Sequence, residues 1–163
     1  MDDLFAPPGL AWQPVSPALA RMRHTALGAA ALVALVAVLI AGLLAPVSRW
    51  VPVAGALVVV AGTAVAWLLV GRNARRWGYA EREEDLYVRH GALTRRLVVV
   101  PYGRMQYVDV QAGPLDRAFG LAGLRLHTAS PGTSAHIPGL TADEAARLRD
   151  RLTTQGEAQA AGL

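Results

Sequence analysis

Two uninterrupted apolar runs dominate the pattern of hydrophobic and polar positions along the chain. No charged residue occurs between Thr25 and Ser48, and a second uncharged run extends from Val51 to Gly71. Because a helix rises 1.5 Å per residue, about 20 residues cross the roughly 30 Å hydrocarbon core of a bilayer. We therefore predict two transmembrane helices, residues 25–48 and 51–71, joined by an external turn at residues 49–50 into a tight hairpin.

After Trp77 the pattern changes from helical to strand-like. Apolar and polar residues alternate over residues 85–90 and 106–111, and further short strands are predicted at residues 94–100, 124–128 and 135–138, with a turn at Ser130-Pro131-Gly132. Thr141 and Glu144 form a capping-box pattern ahead of apolar residues at helical spacing. These elements predict a bent antiparallel sheet, partly closed into a barrel and capped by a C-terminal helix.

The chain length leaves room for one small soluble domain beside the hairpin. We assign that domain to residues 75–155 of the 163 in the chain. Residues 1–24 contain several prolines and are predicted to be a flexible N-terminal arm. Residues 156–163, rich in Ala and Gly, are predicted to be a disordered tail.

Basic residues lie at the outer ends of the hairpin, whereas its central turn has only Arg49. By the positive-inside rule, both chain ends and the soluble domain face the cytoplasm, and Trp residues at span ends are typical of the headgroup level. The predicted membrane-flanking residues are Arg21, Arg23, Arg72, Arg75, Arg76, Trp50 and Trp77.

Composition excludes several function classes. The chain has no Cys, so disulfides, thiolate nucleophiles and cysteine metal sites are excluded. All 16 basic residues are Arg, and the abundance of Ala and Gly indicates a coding bias, so the high pI is not interpreted as nucleic-acid binding. Neither predicted span carries a charged residue, which favours an anchor over a transporter.

Several short motifs together resemble one family. They are the run PYGRMQYV at residues 101–108, GPLDR at 113–117, and Asp85, Leu86 and Gly91 ahead of them. With the preceding hairpin they resemble the bacterial pleckstrin-homology (PH) domain family of YdbS-like membrane proteins, over about three quarters of the chain; Met105 stands where Ile is usual. The resemblance implies a PH-like fold, membrane-associated roles and, in some relatives, a larger neighbouring protein with the same domain. We expect a bacterial plasma membrane location and no cofactor.

Four arginines are candidate contacts for a lipid or a protein partner: Arg95, Arg96, Arg104 and Arg117. Guanidinium groups bind phosphates bidentately, so these residues could hold lipid headgroups. The alternative is structural, with Arg104 and Arg117 bonded to turn carbonyls or to Asp109 and Asp116. Arg72, Arg75 and Arg76 attract anionic headgroups but equally serve as topology determinants.

The sequence offers little support for catalysis or metal binding. His90, His127 and His136 lie on separate predicted strands without Cys or paired His spacing, so no metal site is assigned. No nucleophile-elbow motif accompanies the Ser, His and Asp residues, so an enzyme is rejected. The acidic run at residues 81–85 is interpreted as a solvated loop, or as a surface for a basic partner.

The leading hypothesis is a PH-like interaction module anchored in the membrane, acting as a scaffold or assembly subunit for another membrane protein. One alternative is an anionic-lipid sensor that uses Arg95, Arg96 and Arg104. Another, a subunit of a peptide export or resistance system, depends on family analogy alone. Nucleic acid and metal are not expected as partners.

Overall fold

A computed structural model describes Pro7 and residues 9–45, 48–129 and 134–161. The chain divides into two compact units, Met1–Leu19 with Asn73–Leu163, and Ala20–Arg72. We call the first unit the module and the second the hairpin. The predicted turn at residues 130–132, like Pro46 and Val47 between the two apolar runs, lies outside the described residues.

Two long helices form the hairpin, α1 (Ala18–Leu44) and α2 (Trp50–Ala74). Both are long and apolar enough to cross a membrane, with mean hydropathy of 2.8 and 2.4. α1 begins seven residues earlier than the predicted span. Ser16 Oγ accepts the Ala18 N–H at 3.2 Å, and Pro17 has the backbone angle of a first helical turn, so the helix is capped there. Trp50, predicted to lie in the external turn, is the first residue of α2.

Close packing holds the two helices of the hairpin together. A Cβ atom on Gly42 would lie 2.4 Å from Cβ of Pro52, and one on Gly55 would lie 3.0 Å from Val38. Glycine at these positions therefore permits the backbones to approach. Near the other end, the His24 ring stacks on a tryptophan, Trp67, with ring centroids 4.2 Å apart.

In its described residues, the module contains seven strands in two antiparallel sheets, followed by a C-terminal helix. The first sheet has the order β1 (Gln13–Pro14), β2 (Gly78–Glu81), β3 (Asp85–His90) and β4 (Arg96–Pro101). The second sheet has the order β5 (Met105–Gln111), β6 (Leu121–Thr128) and β7 (Ala135–Thr141). A short 3-10 helix (Tyr102–Arg104) links the sheets, α3 (Pro114–Ala118) joins β5 to β6, and α4 (Ala142–Ala160) follows β7.

The predicted order of strands and final helix is confirmed, but the partly closed barrel is not. β4 and β5 are consecutive in the chain, yet they belong to different sheets because the 3-10 helix separates them. The predicted alternation is confirmed in the core. The fully buried apolar side chains come from both sheets and from α4, and include Leu86, Val88, Val100, Leu124, Leu126, Ile137, Leu140, Ala145, Leu148 and Leu152.

The N-terminal arm differs from the predicted flexible lead-in. Its strand β1 pairs with β2, and Val15, Ala18 and Leu19 are buried. Ser16 N–H donates to the Gly139 carbonyl at 2.8 Å. Gly139 has a φ of +71°, and a Cβ there would lie 2.7 Å from Leu19, so glycine is required for the arm to pack. The module is thus assembled from segments on both sides of the hairpin.

Two element ends also extend beyond their predicted limits. β7 continues past Pro138 to Thr141, which an edge strand tolerates because one side needs no ladder hydrogen bonds. α4 continues to Ala160, so the predicted disorder from residue 156 is wrong as far as that residue. Gln159 Oε1 accepts the Gly103 N–H at 2.8 Å, which fixes this last turn to the 3-10 helix.

Candidate interaction surfaces

A polar cluster links the arm, the first sheet and α4. The Tyr79 hydroxyl lies 2.7 Å from the Gln13 side-chain amide and donates to the Glu144 carboxylate. Arg147 donates to both oxygens of Glu144, at 2.8 and 3.1 Å, and to Glu81 at 2.8 Å. The hydrogen bonds from Arg147 lower the pKa of Glu144, whereas burial, followed by the hydrogen bond to Glu144, raises the pKa of Tyr79. We call this cluster the arm clasp.

Glu81 belongs to the arm clasp and not to a solvated acidic loop. Its side chain is only 6% exposed. In addition to Arg147, it lies 3.0 Å from Arg151 Nε, an ion pair whose N–H is not aligned as a hydrogen bond. The local sequence does not reveal the ion pairs of Glu81, because the arginines that pair with it lie about 70 residues later in the chain, on α4.

The rest of the acidic run forms the turn between β2 and β3. Glu83 and Glu84 are exposed, and the Tyr102 hydroxyl donates to the Arg82 carbonyl at 3.0 Å, which anchors the turn. Burial raises the pKa of Tyr102 to about 12, so this hydroxyl keeps its proton. A cleft of about 540 Å³ separates the turn from residues 9–11 of the arm.

The four candidate arginines do not form one site. Arg95 and Arg96 adjoin each other where the β3–β4 turn enters β4, and both are exposed. Arg104 follows the opposite end of β4, roughly 17 Å away at strand spacing. Arg117 lies on α3, which connects strands of the other sheet. The structure therefore brings Arg95 and Arg96 together and places Arg104 and Arg117 on other elements.

The predicted membrane-flanking residues lie near the ends of the two helices or directly after α2. Arg21 and Arg23 lie in α1, Arg72 lies in the last turn of α2, and Arg75 and Arg76 follow that helix. The seventh residue of the set, Trp77, is half-buried within the module. Its indole Nε1 donates to Asn73 Oδ1 at 3.1 Å.

Trp77 also brings together two of the three module histidines. Its ring stacks on His90, with centroids 4.6 Å apart, and meets His136 edge-on at 6.3 Å. Burial, and secondarily the charge of Arg96, lowers the pKa of His90. Within the described residues, no group of histidines and carboxylates has the arrangement of a metal site. We interpret these contacts as aromatic packing of Trp77 against side chains of β3 and β7.

The third histidine lies on the outer face of the second sheet. This residue is His127, and its ring stacks on the ring of Tyr107 with centroids 4.2 Å apart, because the two residues are cross-strand partners. Arg125 lies opposite both Asp109 and His136 on the neighbouring strands. A shallow depression of about 320 Å³ lies beside them. We call this surface the outer face, defined by Tyr107, Asp109, Arg125, His127, Ser134 and His136.

A family model described as Bacterial PH domain matches residues 19–155. The chain belongs to the bacterial PH domain family. This PH-domain protein is also 36% identical over 77 residues to the UPF0699 transmembrane protein YdbS of Bacillus subtilis (strain 168). That match covers 47% of each protein, so it spans about half the length of this curated relative. No solved structure matches the chain.

The family match and the fold together describe the architecture of the chain. This is a PH domain combined with two helices that are apolar enough to span a membrane. In the PH module, the charged groups with altered pKa values in the arm clasp are paired with each other. Exposed polar and aromatic side chains also lie on the outer face and at the β3–β4 turn.

Proposed function

We propose that the chain is a membrane-anchored PH module that holds another membrane protein through its outer face. The observation that carries this proposal is the stacked pair Tyr107 and His127, with Arg125 beside it. Tyr107 is 56% exposed although it is a large aromatic residue. Aromatic residues and Arg are the types most enriched at protein interfaces and among their energetic hot spots.

The stack also prepares the surface for binding. Side chains that become fixed only on association lose rotamer entropy, which typically amounts to about 0.5–1.5 kcal/mol for each one. Tyr107 and His127 restrict each other before any partner arrives. The outer face therefore forms a partly preorganised anchor beside a depression that can accept a partner's side chain.

In this proposal the hairpin supplies anchorage and proximity. Tethering a module beside its partner gives effective concentrations on the order of millimolar, so a weak surface is sufficient. The module contains chain segments from both sides of the hairpin, so both segments leave the bilayer on the same side. The excess of Arg at the helix ends over the single Arg49 between the helices favours the cytoplasmic side of a bacterial plasma membrane.

Site-specific photo-crosslinking in native membranes tests the proposal. A photoreactive amino acid replaces Tyr107, and crosslinked neighbours are identified by mass spectrometry. The control carries the same amino acid at Thr153, an exposed position on α4. We expect one membrane protein, such as a larger PH-domain relative, to be crosslinked from position 107 and not from 153.

Charge reversal identifies the surface that is responsible. Arg125→Glu is expected to remove the adduct, because it places a carboxylate beside Asp109, whereas Arg149→Glu on α4 is expected to preserve it. Identical neighbours from positions 107 and 153, or no neighbour above background, would contradict the proposal.

Anionic-lipid binding is a second candidate function, favoured by one observation. Arg95 and Arg96 are adjacent and exposed at the β3–β4 turn, which contacts the segment directly after α2. Each Arg near an anionic surface contributes about 1 kcal/mol of attraction. Full-length protein in mixed-lipid nanodiscs should enrich phosphatidylglycerol around it. Unchanged enrichment after Arg95→Gln with Arg96→Gln would exclude these residues.

A further inference from the structure

The β3–β4 turn, residues 91–95, exposes a large apolar side chain to solvent. Leu93 is 85% exposed, and Arg95 and Arg96 follow it. Gly91 has a φ of +104°, and a Cβ there would lie 1.9 Å from the Thr94 carbonyl oxygen. Only glycine permits this tight path, so the exposure of Leu93 results from a defined turn.

This turn is bound to the segment that emerges from α2. Arg76 Nη1 donates to the Ala92 carbonyl at 3.5 Å, and the neighbouring Trp77 stacks on His90, the last residue of β3. Arg72 is the first charged residue after the apolar run of α2, and Arg76 follows four residues later. Four residues span at most roughly 14 Å when fully extended. The chain path therefore limits how far the residue bound to this turn, Arg76, can lie from the end of the apolar run.

The composition of the turn fits a bilayer surface better than water. A single exposed leucine is common on soluble proteins. Here, however, it is combined with nearby guanidinium groups, on Arg76, Arg95 and Arg96. Apolar residues that enter the acyl boundary beside arginines that reach the phosphates are the typical pattern of interfacial segments.

We propose that the β3–β4 turn inserts Leu93 into the membrane surface from which α2 emerges, while Arg95 and Arg96 contact anionic headgroups. The turn then forms a second membrane contact in addition to the hairpin and sets which side of the module faces the lipid. The inference depends on the membrane anchoring in the proposed function but not on partner docking at the outer face.

Fluorescence quenching in vesicles tests this contact. The chain contains no Cys, so Thr94→Cys creates a single labelling site at an exposed position beside Leu93. The full-length protein carries an environment-sensitive dye at residue 94 and is reconstituted into vesicles of phosphatidylglycerol and phosphatidylcholine. Lipids with a spin label near the headgroup quench the dye only if the turn lies in the interface.

We expect strong quenching that depends on Leu93 and on anionic lipid. Leu93→Ser should lower the ratio of quenched to unquenched dye by roughly tenfold, since it removes most of the apolar side chain. Arg95→Gln with Arg96→Gln should lower it by roughly thirtyfold, as should replacing phosphatidylglycerol by phosphatidylcholine. The matched control Leu115→Ser removes a leucine that is 54% exposed on α3 and should change nothing.

Two results would overturn the inference. One is a dye at residue 94 that spin-labelled lipids do not quench, including the case in which it is shielded by a second copy of the protein. The other is quenching that persists unchanged in Leu93→Ser. Because the vesicles contain no other protein, a negative crosslinking result at Tyr107 would not alter this test, and a failure here would not affect the crosslinking.

Discussion

The hairpin and the module use the same aliphatic side chains in opposite ways. In the hairpin, Val58 is 71% exposed and glycines lie where the helices touch, whereas in the module Leu148 is fully buried between α4 and the sheets. In water the module must hide its apolar surface, and a bilayer removes that requirement for the hairpin. The same residue type therefore stabilises the fold in one unit and fixes its location in the other.

The largest effect expected from this comparison is on the stability of the module. Leu148→Ala leaves a cavity in a fully buried site and should lower the free energy of unfolding by about 2–5 kcal/mol. Leu57→Ala, at an exposed hairpin position, should change it by less than about 0.5 kcal/mol. Denaturant titration in detergent micelles, followed by tryptophan fluorescence, measures both. Equal effects would break the distinction between the units.

A charge placed on the hairpin tests the opposite half of the comparison. Val60→Arg puts a guanidinium group near the centre of the second span and should disfavour insertion by about 3 kcal/mol. The fraction of protein released by alkaline carbonate should therefore rise. Thr153→Arg, on the exposed side of α4, should leave that fraction unchanged. Similar release from both variants would show that α2 is not embedded.

The arm clasp should contribute a smaller part of the module's stability. Glu81→Gln removes the partner of Arg147 and Arg151, whose own side chains remain partly solvated. We expect a loss of about 1–2 kcal/mol, less than for a fully buried pair. Glu83→Gln is the matched control at an exposed position in the same acidic run and should be neutral. Equal denaturation midpoints for the two variants would exclude a stabilising clasp.

The smallest expected effect concerns pH. Burial against Trp77 keeps the pKa of His90 below its usual 6.5, so the unfolded chain binds a proton that the folded module resists. Stability should therefore fall as pH decreases from about 6.5 towards the lowered pKa, and it should be unaffected by this group above that range. The loss from protonating Glu144 begins only near 4.5. Thermal unfolding at several pH values measures this slope, and His90→Gln should reduce it.

Much of the fold could be predicted from the spacing of apolar residues, because the hairpin and the longer strands bury or expose whole faces. The alternation at Leu86 and Val88 and the helical spacing of Leu148 and Leu152 each predict a buried face, and these side chains are buried. The arm could not be predicted in this way. β1 has only two residues, and its pairing with β2 joins positions about 65 residues apart, so no local pattern records it.

The candidate surfaces were less predictable than the fold, because they too depend on contacts between residues that are distant in the chain. The sequence identifies Arg95, Arg96, Arg104 and Arg117 by residue type, but the distances between them depend on strand lengths and turns. The stack of Tyr107 on His127 depends on strand register, which is set by pairing across β5 and β6. Alternation predicts that Tyr107 points away from Val108, but it does not predict its neighbour.

We expect the module, which combines the chain segments before and after the hairpin, to lie on a single side of the bilayer. Cysteine labelling in intact cells tests it most directly, since the chain has no native Cys. A membrane-impermeant maleimide should label Ser48→Cys from outside, but should label Ala11→Cys and Asp150→Cys only after permeabilisation. Labelling of residue 11 or 150 in intact cells, or protection of residue 48, would contradict the account.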